Sequence, residues 1–252
     1  MRFASLGSGS RGNGTLVEAG ATCVLVDCGF SVAEVDRRLQ RLGRDPDALA
    51  AILVTHEHGD HISGVGRLAR RYGIPVWMTA GTLAVYRDER AGVEIFNGHQ
   101  AFAIGDLQIH PFPVPHDARE PCQFVFSDGA RRIGVLTDTG APTDHIVRCL
   151  DGCDALLLEC NHDSDMLADG HYPPALKARV GGRFGHLSNA QAAELMGRLD
   201  SRSLQHVAAA HLSEKNNTAQ RARAALAAAL DCETDWIAVA DQEEGLGWRE
   251  VR

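Results

Sequence analysis

The sequence predicts a layered α/β protein with two β-rich halves and helices on the outside. Short apolar and β-branched runs alternate with amphipathic helical stretches along all 252 residues. No internal repeat, low-complexity segment or polar linker interrupts this alternation. Hydrophobic residues make up 44% of the chain, which is enough for a sizeable core. The length suits one large domain or two small ones.

The first part of the chain is rich in strand signals. Strands are predicted at residues 3–6, 15–18 and 22–27. The Gly- and Ser-rich stretch at residues 7–14 is typical of a turn between the first two strands. A helix then runs to about Leu42, with Ser31 as its N-cap and Glu34 completing a capping box.

Strands and helices continue to alternate in the rest of the chain. Further strands are predicted at residues 52–55, 76–79, 93–96, 107–114, 123–127, 132–137, 155–159 and 206–210. A helix at residues 62–72 is closed by Gly73 and followed by Pro75. Two more helices, at residues 189–199 and 219–230, lie around the last of these strands.

Composition and patterning favour a soluble, cytoplasmic protein. No apolar stretch reaches the ~20 residues that a membrane-spanning helix needs. The first residues lack the apolar core and cleavage pattern of a signal peptide. The seven cysteines are odd in number and form no Cys-x-x-Cys pair. This usage is typical of reduced thiols in a cytosol, and it disfavours a disulfide framework or a structural zinc site.

The charge balance bears on possible partners. The formal net charge is -8, which argues mildly against long-range capture of nucleic acid. A local basic patch remains compatible with this charge. Two bound divalent ions would also offset about half of it.

The hexapeptide His-Glu-His-Gly-Asp-His at residues 56–61 follows the apolar run at residues 51–54, with Thr55 between them. Imidazole and carboxylate groups are metal ligands, and this spacing supplies most of two adjacent sites. A folded scaffold does not crowd five titratable groups together unless a cation neutralises them. The alternative is a solvated His-rich turn, which the other ligand-type residues of the chain disfavour.

Three further ligand-type residues follow predicted strands. His116 follows the strand at 107–114, Asp138 follows the strand at 132–137, and His211 follows the strand at 206–210. Taken singly, such a residue is more often a surface or hydrogen-bonded group than a ligand. Together with the hexapeptide they form an inventory of seven candidate ligands on rigid strand ends.

The order His-x-His-x-Asp-His, then His, Asp and His, resembles the metallo-β-lactamase superfamily over the whole chain. Four segments resemble more narrowly the YycJ (WalJ) group, which is related to ribonuclease Z and PhnP: SLGSGS at 5–10, ECNHD at 159–163, GHLSN at 185–189 and HLSEKNN at 211–217. The resemblance implies a four-layer αββα sandwich that forms a single hydrolase domain over residues 1–252, with metals at one edge of the two sheets.

The resemblance also implies two divalent metal ions. It assigns their ligands as His56, His58 and His116 for one ion, Asp60, His61 and His211 for the other, and Asp138 as the bridge. A shared carboxylate and a shared hydroxide offset the repulsion between two ions about 3.5–4 Å apart, and the hydroxide is the natural nucleophile. All these ligands are nitrogen or oxygen donors, which admits Zn²⁺ but also Mn²⁺ or Fe²⁺.

Asp60 and His186 are the expected catalytic residues. By resemblance, the His of a His-x-Ser motif upstream of the last ligand protonates the leaving oxygen or contacts the phosphate. An imidazole with a pKa near neutral can donate that proton. The alternative is that His186 belongs only to the N-terminal cap region of a helix that begins at Ser188 or Asn189.

Substrate contacts are expected from two basic or polar segments. The candidates are Ser10, Asn13, Asn161, Lys177 and Arg183. The loop at residues 7–14 could present backbone N–H groups to a phosphate, and Arg11 would help. A plain hairpin turn explains the glycines equally well. Lys177, Arg179 and Arg183 form either a basic patch beside a phosphodiester or a solvated helix face.

The remaining polar candidates have no assigned role. Glu57 and Asp117, each beside a ligand, either orient an imidazole or face solvent. His162 and His171 are unassigned. The other histidines are expected to be structural or surface residues: His99, His110, His145 and His206.

The leading functional hypothesis is a metal-dependent phosphodiesterase, most consistent by resemblance with a 5′→3′ DNA exonuclease. The alternatives are a hydrolase of a small cyclic or acyclic phosphodiester, then a thioester or lactam hydrolase, and last a non-catalytic metal-binding sensor. The expected partner is DNA or a small phosphodiester, and no membrane is expected to take part. Whether the protein forms a homodimer, and which proteins it binds, is left open. No basic insertion that could clamp nucleic acid is evident, so a nucleic acid would be held at an end or with a partner.

Overall fold

The structure is a computed structural model that describes residues 1–86, 88 and 92–252. Two seven-stranded sheets pack face to face, and helices cover both outer faces. This arrangement confirms the predicted four-layer αββα sandwich. None of the helices in the described part of the chain is long and apolar enough to cross a bilayer.

The first sheet is built from the N-terminal part of the chain and its last strand. Its strands are β1 (Arg2–Gly7), β2 (Gly14–Ala19), β3 (Thr22–Val26), β4 (Leu49–Leu53), β5 (Val76–Met78), β6 (Val93–Ile95) and β14 (Leu246–Glu250). Their order is β14-β1-β2-β3-β4-β5-β6. Strands β3 to β6 run parallel, so their carboxyl ends meet at one edge of the sheet.

The second sheet has the same number of strands. They are β7 (Phe102–Ile104), β8 (Leu107–Pro113), β9 (Cys122–Ser127), β10 (Arg132–Leu136), β11 (Ala155–Glu159), β12 (His206–Ala210) and β13 (Ala238–Val239). Strands β10 to β13 are parallel. Because β9 is antiparallel to both β8 and β10, β8 points in the same direction as β10.

The helices form the outer layers and place apolar stripes against the sheets. They are α1 (Val32–Arg41), α2 (Gly59–Ile62), α3 (Val65–Tyr72), α4 (Ala80–Leu83), α5 (Asp144–Leu150), α6 (Ser164–Asp169), α7 (Pro174–Val180), α8 (Asn189–Arg198) and α9 (Ala219–Leu230). Val35 of α1 and Leu68 of α3 are buried against the first sheet. Leu195 of α8 and Leu226 of α9 are buried against the second sheet.

The central core lies between the two sheets. Phe3, Val17 and Val24 of the first sheet pack in one cluster with Phe124 and Leu157 of the second. All five side chains are fully or almost fully buried. Burying a large apolar side chain of this kind contributes about 1.5–3 kcal/mol. This core fixes the two sheets rigidly enough to hold side chains in place at their common edge.

Two of the differences between predicted and observed boundaries lie beside the residues at 56–61. Strand β4 ends at Leu53, because the Thr55 N–H donates to the Asp27 carboxylate at 2.8 Å instead of joining a ladder. The helix predicted at residues 62–72 is split into α2 and α3. The break falls at Gly64, whose N–H donates to the Cys28 carbonyl and where an added Cβ would lie 1.9 Å from the Phe30 carbonyl oxygen.

The predicted cap of α1 is formed only in part. The Ser31 side chain accepts a hydrogen bond from the Glu34 N–H, as predicted. The Glu34 carboxylate instead accepts hydrogen bonds from Arg37 and Arg38. A complete capping box is found at α8, between Ser188 and Gln191.

Candidate metal centre

The ligand candidates of the sequence meet at one edge of the sandwich. His56 follows β4 of the first sheet, and helix α2 then carries Asp60 and His61. His116, Asp138 and His211 follow β8, β10 and β12 of the second sheet. These four strands point to the same edge, so residues far apart in sequence become neighbours.

The side chains at this edge form overlapping donor sets. Sets whose ligand atoms lie within 4.8 Å of one another include His56, His58 and His116; Asp60, His61 and His211; and His56, His61 and Asp138. The first two sets are the two groups of three expected from the sequence. The third set connects them through Asp138. The geometry therefore suits two neighbouring cation sites.

A buried carboxylate orients two of the imidazoles. The Asp27 carboxylate accepts hydrogen bonds from His61 Nδ1 and from Thr55 Oγ1, both at 2.8 Å. Thr55 Oγ1 in turn lies 2.9 Å from His56 Nδ1. With Nδ1 engaged, the Nε2 lone pairs of His56 and His61 are left to bind a cation.

His116 is oriented by a backbone carbonyl. Its Nδ1 donates to the Gly185 carbonyl oxygen at 2.9 Å. Gly185 fits closely against the end of α7, since an added Cβ would lie 2.2 Å from the carbonyl oxygens of Arg179 and Val180. Glycine is required at 185 to keep this carbonyl within reach of His116.

Asp138 occupies the middle of the cluster. Its side chain is 2% exposed, and its Oδ2 atom lies 3.0 Å from His61 Nε2. Its Oδ1 atom lies 3.9 Å from His116 Nε2 and 3.5 Å from His211 Nδ1. The residue has a positive φ of 48°, a conformation that Asp and Asn adopt more readily than most residues.

The donors fit a metal ion chemically. His56 Nε2 is buried without a hydrogen-bond partner among the described residues, which is costly for a polar atom unless it binds something. Burial and the neighbouring His61 charge lower the pKa of His56, which keeps its lone pair available. Burial alone would lower the pKa of His211, but Asp138, Asp60 and Glu159 raise it to about 10. The carboxylates thus strongly favour a cation among them, either an imidazolium or a metal ion.

The Gly-rich loop at residues 8–13 supports the second donor set. Asn13 is buried, and its Nδ2 donates to Asp60 Oδ2 at 3.2 Å and lies 3.1 Å from His61 Nε2. Its Oδ1 accepts from the Gly9 N–H and from Ser8 Oγ. Asn13, expected to contact substrate, is therefore placed where it holds the carboxylate of the ligand candidate Asp60.

We expect the Asn13→Ala variant to bind metal about 10- to 100-fold more weakly, the usual cost of losing a group that orients a ligand. The reason is that Asp60 loses its side-chain amide donor. Metal affinity measured by competition with a chelator checks this. The matched control is Ser10→Ala, an exposed residue of the same loop that lines the cleft, which should keep the affinity of the native protein. Equal metal affinity in both variants would contradict the positioning role.

A further buried carboxylate, Glu159, links His186 to the donors. Glu159 Oε1 accepts from His186 Nδ1 at 2.8 Å and lies 3.2 Å from His211 Nδ1. Its Oε2 accepts from the backbone N–H groups of Thr139 and Leu187. Burial would raise the pKa of Glu159, but the His186 charge and these contacts lower it to about 2. Glu159, His186, His211 and Asp138 also have donor atoms within 4.8 Å of one another.

A cleft of about 370 Å³ opens onto the centre. Its lining includes Asp60, Asp138, His186 and His211 together with two of the predicted substrate residues, Ser10 and Asn161. Asn161 is buried, and its Nδ2 donates to the His211 carbonyl at 3.0 Å. The segment at 172–180 closes the other side of the cleft with Tyr172, Leu176, Arg179 and Val180.

The other two predicted substrate residues lie outside this lining. Lys177 donates its Nζ to the Ala168 carbonyl, on α6. Arg183 is exposed in the turn before Gly185. Arg179 is the arginine of this segment that lines the cleft, and its Nε donates to Asp117 at 2.6 Å.

The structure places the residues left unassigned by the sequence. Glu57 accepts a hydrogen bond from the Arg119 N–H and so holds the loop after His116. Asp117 pairs with Arg179 and lies 3.7 Å from His58 Nε2. His162 is buried behind the cleft, and the exposed His171 lies just before Tyr172.

Two contributors to the site were missed by the sequence reasoning. Asp27 and Glu159 are both buried carboxylates at the ends of parallel strands. A position at the end of a strand also identified Asp138 as a candidate ligand, so the sequence contained the same indication for Asp27 and Glu159. Neither lies in a His-rich segment, and their histidine partners are distant in sequence.

Comparison with known proteins agrees with this geometry. Residues 22–207 match the family model of the β-lactamase superfamily domain. The chain is 34% identical to exodeoxyribonuclease YycJ of Bacillus anthracis, over 92% of this chain and 89% of that protein. It is 35% identical to exodeoxyribonuclease WalJ of Streptococcus pneumoniae, over 86% of this chain and 83% of that protein.

A solved structure supports the fold independently. The metallo-β-lactamase fold protein YhfI of Bacillus subtilis superposes with a TM-score of 0.76 at 17% identity, over 99% of both chains. Since the family model covers most of the chain and the YycJ and WalJ relatives cover it almost completely, the resemblance inferred from the motifs is confirmed. The chain belongs to the β-lactamase superfamily and, within it, to the group of YycJ and WalJ.

Proposed function

We propose that this protein is a dinuclear metal-dependent phosphodiesterase that degrades DNA as a 5′→3′ exonuclease. The observation that carries the proposal is the pair of donor sets joined at Asp138, beside a cleft that His186 lines. The YycJ and WalJ relatives, named exodeoxyribonucleases, support DNA as the substrate. Membership of this hydrolase superfamily confirms the prediction that the protein is an enzyme.

The metal requirement rests on the donor chemistry. Two divalent ions would be held by the seven ligand candidates, and nitrogen and oxygen donors admit Zn²⁺ or Mn²⁺, with Fe²⁺ as a third candidate. When bound, divalent ions supply an activated water nucleophile and neutralise charge on the phosphoryl oxygens. Asp27, Thr55, Asn13 and the Gly185 carbonyl fix the side chains that receive them.

His186 would protonate the leaving oxygen. Burial lowers the pKa of its imidazole, but the Glu159 carboxylate outweighs burial and raises it above the usual value. The raised pKa favours the protonated ring, which a general acid requires. Because Nδ1 donates to Glu159, Nε2 is the atom left to donate a proton toward the cleft.

A small phosphodiester is the second candidate substrate, and one observation favours it. The arginine that lines the cleft, Arg179, is already neutralised by Asp117 at 2.6 Å. The cleft thus offers little positive charge of its own for an extended polyanion. A small substrate would depend on the metal ions alone for charge neutralisation.

We also infer that this enzyme is cytoplasmic, and its cysteines support that inference. All seven are free, and Cys23, Cys28, Cys122, Cys153 and Cys160 are buried. Burial raises the pKa of the Cys160 thiol above its usual value and keeps it protonated and unreactive. Free thiols of this kind are typical of a reducing compartment.

We expect the metal-loaded protein to release mononucleotides stepwise from the 5′ end of a 5′-phosphorylated DNA duplex. This expectation rests on the donor sets beside the cleft and on the relatives named exodeoxyribonucleases. Gel analysis of DNA labelled at one end or the other distinguishes the direction. The Asp60→Ala variant, which removes one ligand candidate, is the negative control.

Two results would contradict this proposal. Release from the 3′ end would reverse the direction. Hydrolysis of bis(p-nitrophenyl) phosphate without any release from DNA would keep the phosphodiesterase chemistry and move the substrate to small phosphodiesters.

A further inference from the structure

A second groove lies on the outer face of the second sheet, between strand β8 and helix α5. We name it the β8–α5 groove, and its volume is about 280 Å³. Its basic lining residues are His99, His110, Arg132, His145 and Arg148. It shares no lining residue with the cleft of the metal centre.

The charge of the groove contrasts with that of the protein. The chain carries a formal net charge of -8, yet no carboxylate is among the residues lining the groove. Among the described residues, the side chains of His110 and Arg148 make no hydrogen bond or ion pair. The fixed positive charge of the groove comes from Arg132 and Arg148, since burial and the neighbouring Arg132 lower the pKa of His110. Two guanidinium groups without a counterion repel each other, and an anion relieves that repulsion.

One arginine in the groove is fixed in position. The Arg132 guanidinium donates to the Asp151 carbonyl at 2.6 Å and to the Cys149 carbonyl at 2.9 Å, at the end of α5. Its partners are neutral carbonyls, so its charge is not cancelled. The nearby Arg148 is exposed and free to close on a ligand. A fixed and an exposed arginine together suit an anion with several oxygens, such as a phosphate.

We propose that the β8–α5 groove binds backbone phosphates of the nucleic-acid strand whose end lies in the metal cleft. This inference rests on the proposed function. It would supply the positive surface that the cleft lacks. It would also explain how an acidic protein without a clamping insertion holds DNA.

The connection between the two places runs along β8 and β10. The groove residue His110 precedes His116 by six residues, and Arg132 precedes Asp138 by six. Six residues of chain span at most about 20 Å. One strand of DNA advances roughly 3.4 Å per nucleotide. A strand whose end lies at the metal centre therefore reaches these basic residues after about six nucleotides. The loop before α5 is fixed to the same segment, since the Gly140 N–H donates to the Pro115 carbonyl.

The test uses the metal-loaded protein and a groove variant, His110→Gln/Arg148→Ala. The Arg67→Ala variant, which removes an exposed arginine of α3 on the opposite outer layer, is the matched control. Binding is measured by fluorescence anisotropy with a labelled phosphorothioate DNA that resists cleavage, at several salt concentrations. Hydrolysis of bis(p-nitrophenyl) phosphate is measured in parallel.

We expect the groove variant to bind DNA about tenfold more weakly, with the slope of log Kd against log salt reduced by about one, because one arginine charge is removed. Its activity on bis(p-nitrophenyl) phosphate should equal that of the native protein, because the groove lies outside the cleft. The Arg67→Ala variant should match the native protein in both assays.

Other outcomes separate the two proposals. An unchanged Kd and salt slope in the groove variant would overturn the groove inference, whatever the activity on DNA. Inorganic phosphate could instead raise the Tm of the native protein but not that of the groove variant, while both proteins bind DNA equally. That result would show that the groove binds free phosphate and not the DNA strand. Failure of the native protein to cleave ordinary DNA that it still binds through the groove would contradict only the proposed exonuclease.

Discussion

The Asp138→Asn variant is expected to lose DNA hydrolysis by about 10³-fold or more, beyond the 10- to 100-fold cost of losing a group that only orients a ligand. Asp138 lies between the two donor sets, with its oxygens 3.0 Å from His61 and 3.5 Å from His211. An amide has no negative charge and offers one good oxygen donor instead of two. It can neither neutralise nor bridge two cations.

The substitution is chosen so that the backbone is preserved. The positive φ of 48° at this position suits Asn as well as Asp, so a change in activity reports on the side chain. Metal content by mass spectrometry should fall from two equivalents toward one or none. The matched control is Asp154→Asn, a buried carboxylate that accepts hydrogen bonds from Arg131 and the Arg132 N–H, away from the centre. If Asp138→Asn kept both metal ions and full activity, Asp138 would not be the bridge.

The fold was largely predictable because its elements are encoded locally. The strands at 155–159 and 206–210 are short apolar runs, and their boundaries agree with β11 and β12. Helix α9 is likewise as predicted, from Ala219 to Leu230. The helices α6 and α7 were not predicted, because the segment at 164–180 is interrupted by Gly170 and by Pro173-Pro174 and shows little apolar periodicity.

The site was predictable where its residues are adjacent in sequence. Four of the candidate ligands lie in the hexapeptide at 56–61, and the others follow strands. The roles of residues that act across the chain required the structure. Asn13 was expected to contact a phosphate, but its partner Asp60 is 47 positions away. Which basic residue of α7, Lys177 or Arg179, faces the cleft depends on the rotation of that helix against the sandwich, and no local pattern determines it.

His186 also shows this difference between local and long-range information. Its sequence motif identified it as a candidate, but only its surroundings in the structure suggest its role. Glu159 accepts a hydrogen bond from its Nδ1 at 2.8 Å and raises its pKa, while Nδ1 also lies 3.4 Å from Asp138 Oδ1. It could therefore serve either as a general acid or as an additional ligand. The two roles differ in what happens to the metal ions and in which substrates suffer when the imidazole is removed.

We expect His186→Ala to lower kcat on DNA by about 10²–10⁴-fold, the usual contribution of a general acid, while both metal ions are retained. The loss should be much smaller on bis(p-nitrophenyl) phosphate, because p-nitrophenolate leaves without needing a proton. Glu159→Gln should show the same selective loss in weaker form, since it removes the carboxylate that raises the pKa of His186. The exposed His171→Ala, in the segment before the cleft wall, is the histidine control and should behave as the native protein. An equal loss on both substrates together with a loss of metal would make His186 a ligand, and the proton would then have to come from another group.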